Sequence, residues 1–259
     1  MKKSKIAVLV AMVVVLAFSL AACGGSDKSS SDKTVYKVGT EPTFPPFDTT
    51  DEDQNIVGLD MDLIKAIGED QGFDVEFENL SFDGLIPALK AGNIDIVAAG
   101  MNKDDEDRQK EVDFSDSYYE SKLFVAVTED NTTIKSVDDL TPDMKVAAQT
   151  GTTGASKVTE LKDAGKIKEA VILDGLDTCM MKLINGDVSA VINDKPVTEA
   201  YMKKQPDKIK MVGEALNAEN YGFAVQKGNT ELVEKINKGL KNIKENGTYD
   251  KLVDEWFNK

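Results

Sequence analysis

From residue 34 onwards, short runs rich in β-branched residues alternate along the chain with amphipathic stretches of helical period. The strand-like runs are residues 35–40, 75–78, 94–100, 123–127, 145–149, 170–173, 188–193, 209–212 and 221–225. The helix-like stretches are residues 60–71, 84–91, 153–164, 178–185 and 196–204, followed by two predicted helices within 231–258 that separate at Asn246-Gly247. This alternation predicts an α/β fold with largely parallel sheets.

An internal repeat predicts that this fold has two similar lobes. The segment LKAGNIDIV at residues 89–97 matches LINGDVSAV at residues 183–191, and each combines a helix end, a glycine and a buried strand. The alternative is that any helix–strand unit carries such a pattern. If the copies are equivalent, Gly100 and Asn193 mark matching strand ends in two sheets. Because ligands of open α/β sheets bind beyond the carboxyl ends of strands, we expect a cleft between the lobes.

The first residues of the chain have the pattern of a secretory signal peptide. Three lysines precede an apolar run at residues 6–20, which is too short for a membrane span of about 20 residues. Leu20-Ala21-Ala22-Cys23 then resembles the lipobox of bacterial lipoproteins. We therefore predict a signal peptide at 1–22, a lipidated Cys23 and a flexible tether over 23–33, with the protein anchored by lipid alone on the outer face of the cell membrane or in the periplasm. A short anchoring helix and an ordinary cleavage site are the alternatives.

Composition excludes several classes of function. The chain has one arginine and no histidine among 31 basic residues, so zinc held by histidine and histidine-based nucleophilic triads are ruled out. A formal net charge of −15 argues against a nucleic-acid partner. Cys179 is the only thiol left once Cys23 carries lipid, and its neighbours Met180 and Met181 predict a place in the core.

The candidate binding residues are polar, aromatic or glycine residues at predicted strand ends and in the loops that follow. They are Glu41, Phe44, Phe82, Gly100, Asn102, Arg108, Gln149, Thr153, Asn193 and Asp194. Arg108 stands out because the guanidinium offers a planar pair of donors to a carboxylate, which lysine cannot do. Thr153 opens a predicted helix, whose first amides favour an anion. Taken singly, Arg108 could form a surface ion pair, and Thr153 or Asp194 could cap a helix.

In this order and spacing, the motifs resemble the polar amino-acid family of bacterial solute-binding proteins that serve ABC transporters, extracellular solute-binding proteins family 3. The resemblance covers the chain from residue 34 to its end. It implies the bilobal periplasmic-binding-protein fold of the second type. One lobe would comprise residues 34–117 and 222–259, the other residues 123–216, and hinge strands would lie at 118–122 and 217–221. The expected partners are a free L-amino acid and a membrane permease with its ATPase, and we expect a monomer without cofactor or metal.

The resemblance also implies roles for the candidate residues. Arg108 would hold the ligand α-carboxylate, assisted by backbone N–H groups and side-chain oxygens of Gly100, Asn102 and Thr153. Asp194 would bind the α-ammonium group. Two departures bear on Asn102: the family usually has Thr or Ser there, and its glycine and arginine are seven residues apart rather than eight. The acidic segment 104–107 lies in this longer loop.

The side-chain pocket favours a cationic ligand. Phe44 and Phe82 match the family positions that sandwich the ligand side chain, and Glu41 matches an acid at its polar end. Two aromatic faces and a carboxylate suit a guanidinium or ammonium group. The segment QTGTTG at residues 149–154 resembles arginine-type members, whereas glutamine-type members tend to carry Lys at the position of Gln149. We therefore predict arginine or lysine as the ligand, with glutamine or another polar amino acid as the alternative.

Two other functions compete with amino-acid uptake. A dehydratase-like enzyme on the same fold would need a general base, and without histidine only a buried Glu41 could serve. A ligand sensor would need a separate signalling protein. Residues 51–55 begin like an EF-hand loop but lack the turn glycine, so a hairpin turn is predicted there. We therefore predict a binding protein that is not an enzyme and holds no metal.

Overall fold

Two α/β halves, each built on a five-stranded sheet, make up the part of the chain that the computed structural model describes, residues 33–258. The predicted signal peptide and Cys23 lie outside the described residues, so their predictions are not tested by the fold. Among residues 33–258, no helix combines the length and apolar character that crossing a membrane requires.

The first sheet is built around β1 (Thr34–Thr40), which pairs in parallel with β4 and β5. The elements that follow β1 are β2 (Thr49–Thr50), β3 (Ile56–Val57), α1 (Leu59–Gln71), β4 (Phe73–Asn79), α2 (Phe82–Ala91), β5 (Ile96–Val97), α3 (Glu106–Glu111) and β6 (Val112–Phe114). Parallel neighbours need crossovers, which α1 and α2 supply. The strand order is β4-β1-β5-β12-β6.

The second sheet has the order β11-β7-β10-β8-β9, in which β8, β9 and β10 are parallel. Its elements are β7 (Tyr119–Thr128), β8 (Lys145–Gln149), α4 (Thr153–Asp163), β9 (Glu169–Leu173), α5 (Leu176–Ile184), β10 (Ala190–Asp194), α6 (Lys195–Lys204) and β11 (Ile209–Tyr221). The chain then returns to the first sheet with β12 (Ala224–Gln226) and ends in α7 (Thr230–Glu245) and α8 (Thr248–Phe257).

The chain passes between the sheets twice, through β7 and β11. The two strands run antiparallel to each other, with Tyr119 opposite Tyr221 and Leu123 opposite Asn217. The register shifts between Val212 and Asn217. The predicted hinge segments 118–122 and 217–221 fall on this paired stretch.

Aromatic rings fill the space beside this crossing. Phe47 contacts Tyr119, Tyr221 and Phe257 with ring centroids 4.9, 5.0 and 5.7 Å apart, all edge to face. Such contacts each contribute about 0.5–1.5 kcal/mol beyond the area they bury. Because Phe47 precedes the β2–β3 hairpin and Tyr221 ends β11, the cluster joins a loop of the first half to both connecting strands.

Most predicted elements are confirmed, with several differences. The strands predicted at 209–212 and 221–225 are β11 (Ile209–Tyr221) and β12 (Ala224–Gln226). The strand predicted at 94–100 is short, Ile96–Val97, and Gly100 adopts a left-handed backbone (φ 54°). Helix α3 was not predicted, because six residues rich in charge carry too little hydrophobic periodicity. The predicted turn at residues 51–55 is confirmed by the β2–β3 hairpin, in which Asp51 Oδ1 accepts from the N–H groups of Asp53 and Asn55.

Cys179 confirms its predicted place in the core. Its side chain is fully buried on α5 and free of any disulfide. Burial, followed by the charge of Asp177, raises the pKa of the thiol to about 12. The thiol therefore stays protonated and acts as a small apolar side chain.

Candidate functional site

A narrow cavity lies where loops of the two sheets meet. The first half contributes Phe44, Phe82, Gly100, Asn102 and Arg108, and the second half contributes Gln149, Thr152, Thr153, Asp194 and Glu219. Eight of the ten predicted binding residues are among these. Thr152 and Glu219 were not predicted, and Glu41 and Asn193 do not line the cavity.

Arg108 is buried at the cavity, with 8% of its surface exposed. The Asp105 side chain begins α3 by accepting from the N–H groups of Asp107 and Arg108. The guanidinium donates through Nη1 to the carbonyl of Asn102 (3.1 Å) and through Nη2 to the carbonyl of Gly151 (3.0 Å). Burial lowers the pKa of Arg108, while Asp105, Glu219 and Asp194 oppose this shift. A surface ion pair is therefore the wrong interpretation of Arg108.

Two glycines allow the backbone to approach this guanidinium and its neighbours. Gly100 has φ 54°, and a Cβ added there would lie 2.6 Å from Phe44 Cε1. Gly151 has φ 76°, and a Cβ there would lie 3.0 Å from Asp83 Cβ. Any side chain at Gly100 would clash with the ring of Phe44, so this aromatic wall depends on glycine.

Below Gly100 lies a buried carboxylate that the sequence did not indicate. Asp60 Oδ2 accepts from the N–H of Gly100 (2.8 Å) and from the hydroxyl of Tyr118 (2.7 Å). We expected the N–H of Gly100 to bind the ligand. In the structure this N–H donates to Asp60 instead. Burial raises the pKa of Asp60 to about 7 against the effect of these two hydrogen bonds. The nearby Asp48 carboxyl is also fully buried, and burial and the charge of Asp60 raise its pKa well above the usual range.

Asn102 and Phe82 shape the side of the cavity around Arg108. Asn102 Oδ1 accepts from the backbone N–H groups of Asp104 (3.1 Å) and Asn220 (3.3 Å), so it anchors its own loop to β11. The ring of Phe82 faces the Arg108 guanidinium, with the Cζ atom 5.4 Å from the ring centroid. Asn102 thus positions the loop that carries the acidic segment 104–107.

Glu41 lies behind the cavity, where it contacts Gln149. Gln149 Nε2 donates to Glu41 Oε2 (2.7 Å) and to the carbonyl of Asp174 (3.0 Å). Thr43 Oγ1 donates to the same carboxylate oxygen of Glu41 (2.8 Å). Burial raises the pKa of Glu41, and the hydrogen bonds from Gln149 and Thr43 oppose this. Glu41 therefore reaches the cavity through the amide of Gln149.

The start of α4 shows which threonine caps the helix. The N-cap is Thr152, whose hydroxyl accepts from the N–H of Ala155 (3.0 Å) and donates to the carbonyl of Gln149 (2.7 Å). Thr153 is the first residue of α4, as predicted, and it lines the cavity with Thr152. Because Thr152 supplies the cap, the alternative that Thr153 is an N-cap is wrong.

Asp194 faces the cavity, and Asn193 does not. Asn193 Nδ2 donates to the carbonyl of Asp194 (3.3 Å) and to Thr198 Oγ1 (3.2 Å), which places this amide against the first turn of α6. Successive residues of a strand point to opposite sides, so only one of the pair can reach the cavity. Asp194 therefore lines the cavity in this structure, and Asn193 does not.

The Asp194 carboxylate is held by residues of both connecting strands. Its Oδ1 accepts from Ser121 Oγ (2.9 Å) and from the hydroxyl of Tyr221. Asp194 occupies the N-cap position of α6, but its side chain makes no capping hydrogen bond to the helix. Glu219, which the sequence did not indicate, lies beside it and is 2% exposed. Burial and the charge of Glu219 raise the pKa of Asp194 well above its usual range.

A larger cavity lies elsewhere, and none of the predicted site residues lines it. It is lined mainly by apolar side chains, among them Pro45, Pro196, Trp256 and Phe257. Its polar lining residues, Thr49, Glu199, Lys203 and Lys204, are not buried, whereas the groups that orient a small ligand are usually held in a concave site. The smaller cavity around Arg108 is therefore the candidate site.

Comparison with known proteins gives consistent matches over nearly all of the described chain. The sequence model of bacterial extracellular solute-binding proteins, family 3, matches residues 36–259. A probable histidine-binding protein of Neisseria gonorrhoeae is 34% identical over 252 residues, which cover 94% of this chain and 92% of that protein. The arginine-binding extracellular protein ArtP of Bacillus subtilis is 33% identical, with 96% of each chain covered.

The solved structures agree in fold. An ancestral arginine-binding protein bound to arginine matches with a TM-score of 0.82 and 44% identity, covering 87% of this chain and 99% of that chain. One bound to glutamine matches with a TM-score of 0.80 and 45% identity, covering 88% and 99%. The two-lobed periplasmic-binding-protein fold predicted from the sequence is thereby confirmed.

Proposed function

Because this chain belongs to family 3 of the bacterial extracellular solute-binding proteins, we propose that it captures a free polar L-amino acid and delivers it to an ABC permease and its ATPase. The ligand favoured by the site is arginine or lysine. Glutamine is the alternative. Binding rather than catalysis is proposed because the relatives described above are binding proteins and the chain has no histidine to act as a base.

One observation carries this proposal: a single cavity combines a buried arginine from one half with buried carboxyls from the other. Arg108 comes from α3, whereas Asp194 and Glu219 come from elements of the second sheet. A free amino acid carries a carboxylate and an ammonium group on the same carbon. In the proposed complex the carboxylate pairs with Arg108 and the ammonium with Asp194.

The aromatic lining of the cavity, with an acid behind it, supports a cationic side chain. Phe44 and Phe82 supply aromatic faces, and the Glu41 carboxylate lies behind the Gln149 amide. A guanidinium or ammonium group between these rings would gain cation–π attraction of about 0.5–2 kcal/mol. A neutral glutamine side chain could instead pair with the Gln149 amide, which is why glutamine is kept as the alternative.

Capture between two halves requires that they move apart and together. We propose residues 34–117 with 222–259 and residues 123–216 as the moving lobes, and residues 118–122 and 217–221 as the hinge. Two contacts that cross the cleft, Gln149 to Glu41 and Arg108 to Gly151, are ones that opening would break. We further propose a monomer held at the outer membrane face or in the periplasm by lipid on Cys23.

The experiment that tests the function is a thermal-shift screen of the twenty L-amino acids, followed by calorimetry of those that stabilise the protein. A ligand at 100 times its Kd stabilises the folded state by about 2.7 kcal/mol, enough for a clear rise in melting temperature. We expect arginine and lysine to give the largest shifts. If no amino acid raises the melting temperature or gives a binding isotherm, the proposed function is wrong.

A further inference from the structure

Two buried carboxyl groups lie side by side in the candidate site. Asp194 and Glu219 are 6% and 2% exposed, and their side chains share a hydrogen bond. Two carboxylates can hydrogen-bond to each other only if one of them holds a proton. Neutral donors also bind them: Ser121 and Tyr221 donate to Asp194, and Asn217 Nδ2 donates to Glu219 Oε1 (3.1 Å). The pair therefore carries one negative charge rather than two.

The charged groups around the pair do not remove this proton. Arg108, on α3, is the cation that interacts with both carboxyls, and its guanidinium bonds to the carbonyls of Asn102 and Gly151 instead. Tyr221, on β11, is the other titratable group in contact, and its hydroxyl donates to Asp194. Burial and the charge of Glu219 keep the pKa of Asp194 high in this setting.

We infer that Asp194 and Glu219 together form the receptor for the ligand α-ammonium group, and that the pair gives up its shared proton to solvent when the ammonium enters. This inference rests on the proposed function. The reason is one of chemistry: an ammonium group has only donors, so a protonated carboxyl offers it a competing hydrogen. A cation beside two carboxyls also favours their ionised forms. The ammonium replaces the proton as the donor that both carboxyls share.

Glu219 is then a specificity-determining residue that the motifs did not reveal. It lies on the strand β11, which connects the two sheets, in the segment 217–221 that we propose as a hinge. Binding of the ammonium group to Glu219 would therefore connect the ligand directly to the proposed hinge. A ligand without an α-ammonium group would leave the proton in place.

The test is calorimetric titration of the full chain with L-arginine and, separately, with L-glutamine, in buffers of different ionisation enthalpy at pH 7. The dependence of the heat on the buffer counts the protons released. We expect close to one proton per ligand for whichever of the two amino acids binds. Affinity should fall by up to tenfold for each pH unit below the range in which the free pair titrates. Glutamine has no side-chain cation, so release with glutamine cannot come from Glu41.

Glu219→Gln should release fewer protons than the unmodified protein, because Asp194 then lacks a like-charged neighbour and gains an amide donor. Glu219→Asp should retain the release, and it provides a second variant if Glu219→Gln does not fold. Glu214→Gln changes an exposed residue on the same strand and should behave as the unmodified protein. Binding without proton release, or equal release in Glu219→Gln, overturns the inference while the proposed function stands. If neither amino acid binds the unmodified protein, the proposed function fails and the inference falls with it.

Discussion

The guanidinium of Arg108 donates a hydrogen bond to the backbone carbonyl of Gly151 across 3.0 Å. Arg108 belongs to α3 beside the first sheet, and Gly151 belongs to the loop after β8 in the second. The only arginine in the chain thus lies where the two halves meet. A guanidinium has five N–H donors, so donors remain for the ligand carboxylate that we propose binds here.

Replacing Arg108 should therefore weaken ligand binding in a graded way. Arg108→Lys keeps the charge and loses the planar pair of donors, so we expect a loss of about 1.5–3 kcal/mol. Arg108→Ala leaves a desolvated carboxylate without a partner and should cost about 3–5 kcal/mol, or two to four decades in affinity. Calorimetry measures both. The exposed neighbour Lys110 provides a matched control as Lys110→Ala, which should bind normally. Normal affinity in both Arg108 variants with much lower melting temperatures would make Arg108 a structural residue.

Glu41→Gln should separate cationic from neutral ligands. Glu41 lies behind Gln149 and is 8% exposed. A cationic ligand side chain therefore loses a desolvated partner when the substitution removes the charge of Glu41. We expect arginine binding to weaken by about 2 kcal/mol or more and glutamine binding to change much less. Glu52→Gln, in an exposed turn, is the control. Equal losses for arginine and glutamine would remove Glu41 from the side-chain pocket.

The stability of the ligand-free protein should fall as the pH rises from about 4 to 7, in part through Asp60. The folded state keeps this carboxyl protonated up to about pH 7, whereas the unfolded chain ionises near its ordinary value of 3.8. Between these values the folded state binds the extra proton, so each rise in pH favours unfolding. The difference between these two pKa values corresponds to about 4 kcal/mol of unfolding free energy at most.

Asp60→Asn removes this titration and keeps an acceptor for Gly100 and Tyr118. Denaturant unfolding at pH 4.5 and pH 7 should therefore show a smaller loss of stability in Asp60→Asn than in the unmodified protein. Asp53→Asn, in the exposed hairpin turn, should leave the dependence unchanged. An unchanged pH dependence in Asp60→Asn would mean that this carboxyl is already ionised in the folded protein.

The movement of the lobes predicts a change in size on binding. A ligand that bridges the halves shifts the population towards closed forms by its differential affinity for them. We expect the radius of gyration from small-angle scattering to decrease when a saturating amino acid is added. A value that stays constant at saturation would place the site within one lobe, or show that the free protein is already closed.

The anchor is tested by Cys23→Ala, a change at the predicted lipobox. Without the acyl chains the protein should still fold and should leave the membrane fraction, because each buried methylene contributes about 0.8 kcal/mol to anchoring. Cell fractionation followed by a salt wash makes the comparison, with the unmodified chain as reference. A variant that stays with the washed membranes would contradict the lipoprotein prediction.

The fold was largely predictable because its signals are local. Strands β1 and β8 and helices α1 and α4 follow from hydrophobic periodicity read along the chain. Arg108 was predicted as a site residue from its residue type and Asp194 from the family resemblance, and both line the cavity. The elements that the sequence did not predict correctly are short: α3 has six residues, and the strand before Gly100 has two.

The pairing of the two buried carboxyls could not be predicted in this way. Asp194 and Glu219 are 25 residues apart and meet only because β10 and β11 both pair with β7. Glu219 looks like any acidic residue of an acidic chain until the fold buries it, and the same is true of Asp60 beneath Gly100. The amino-acid sequence determined which groups were available and which strands and helices they occupy. Only the tertiary structure decided which charges lose their water together, because burial and proximity depend on contacts between distant segments.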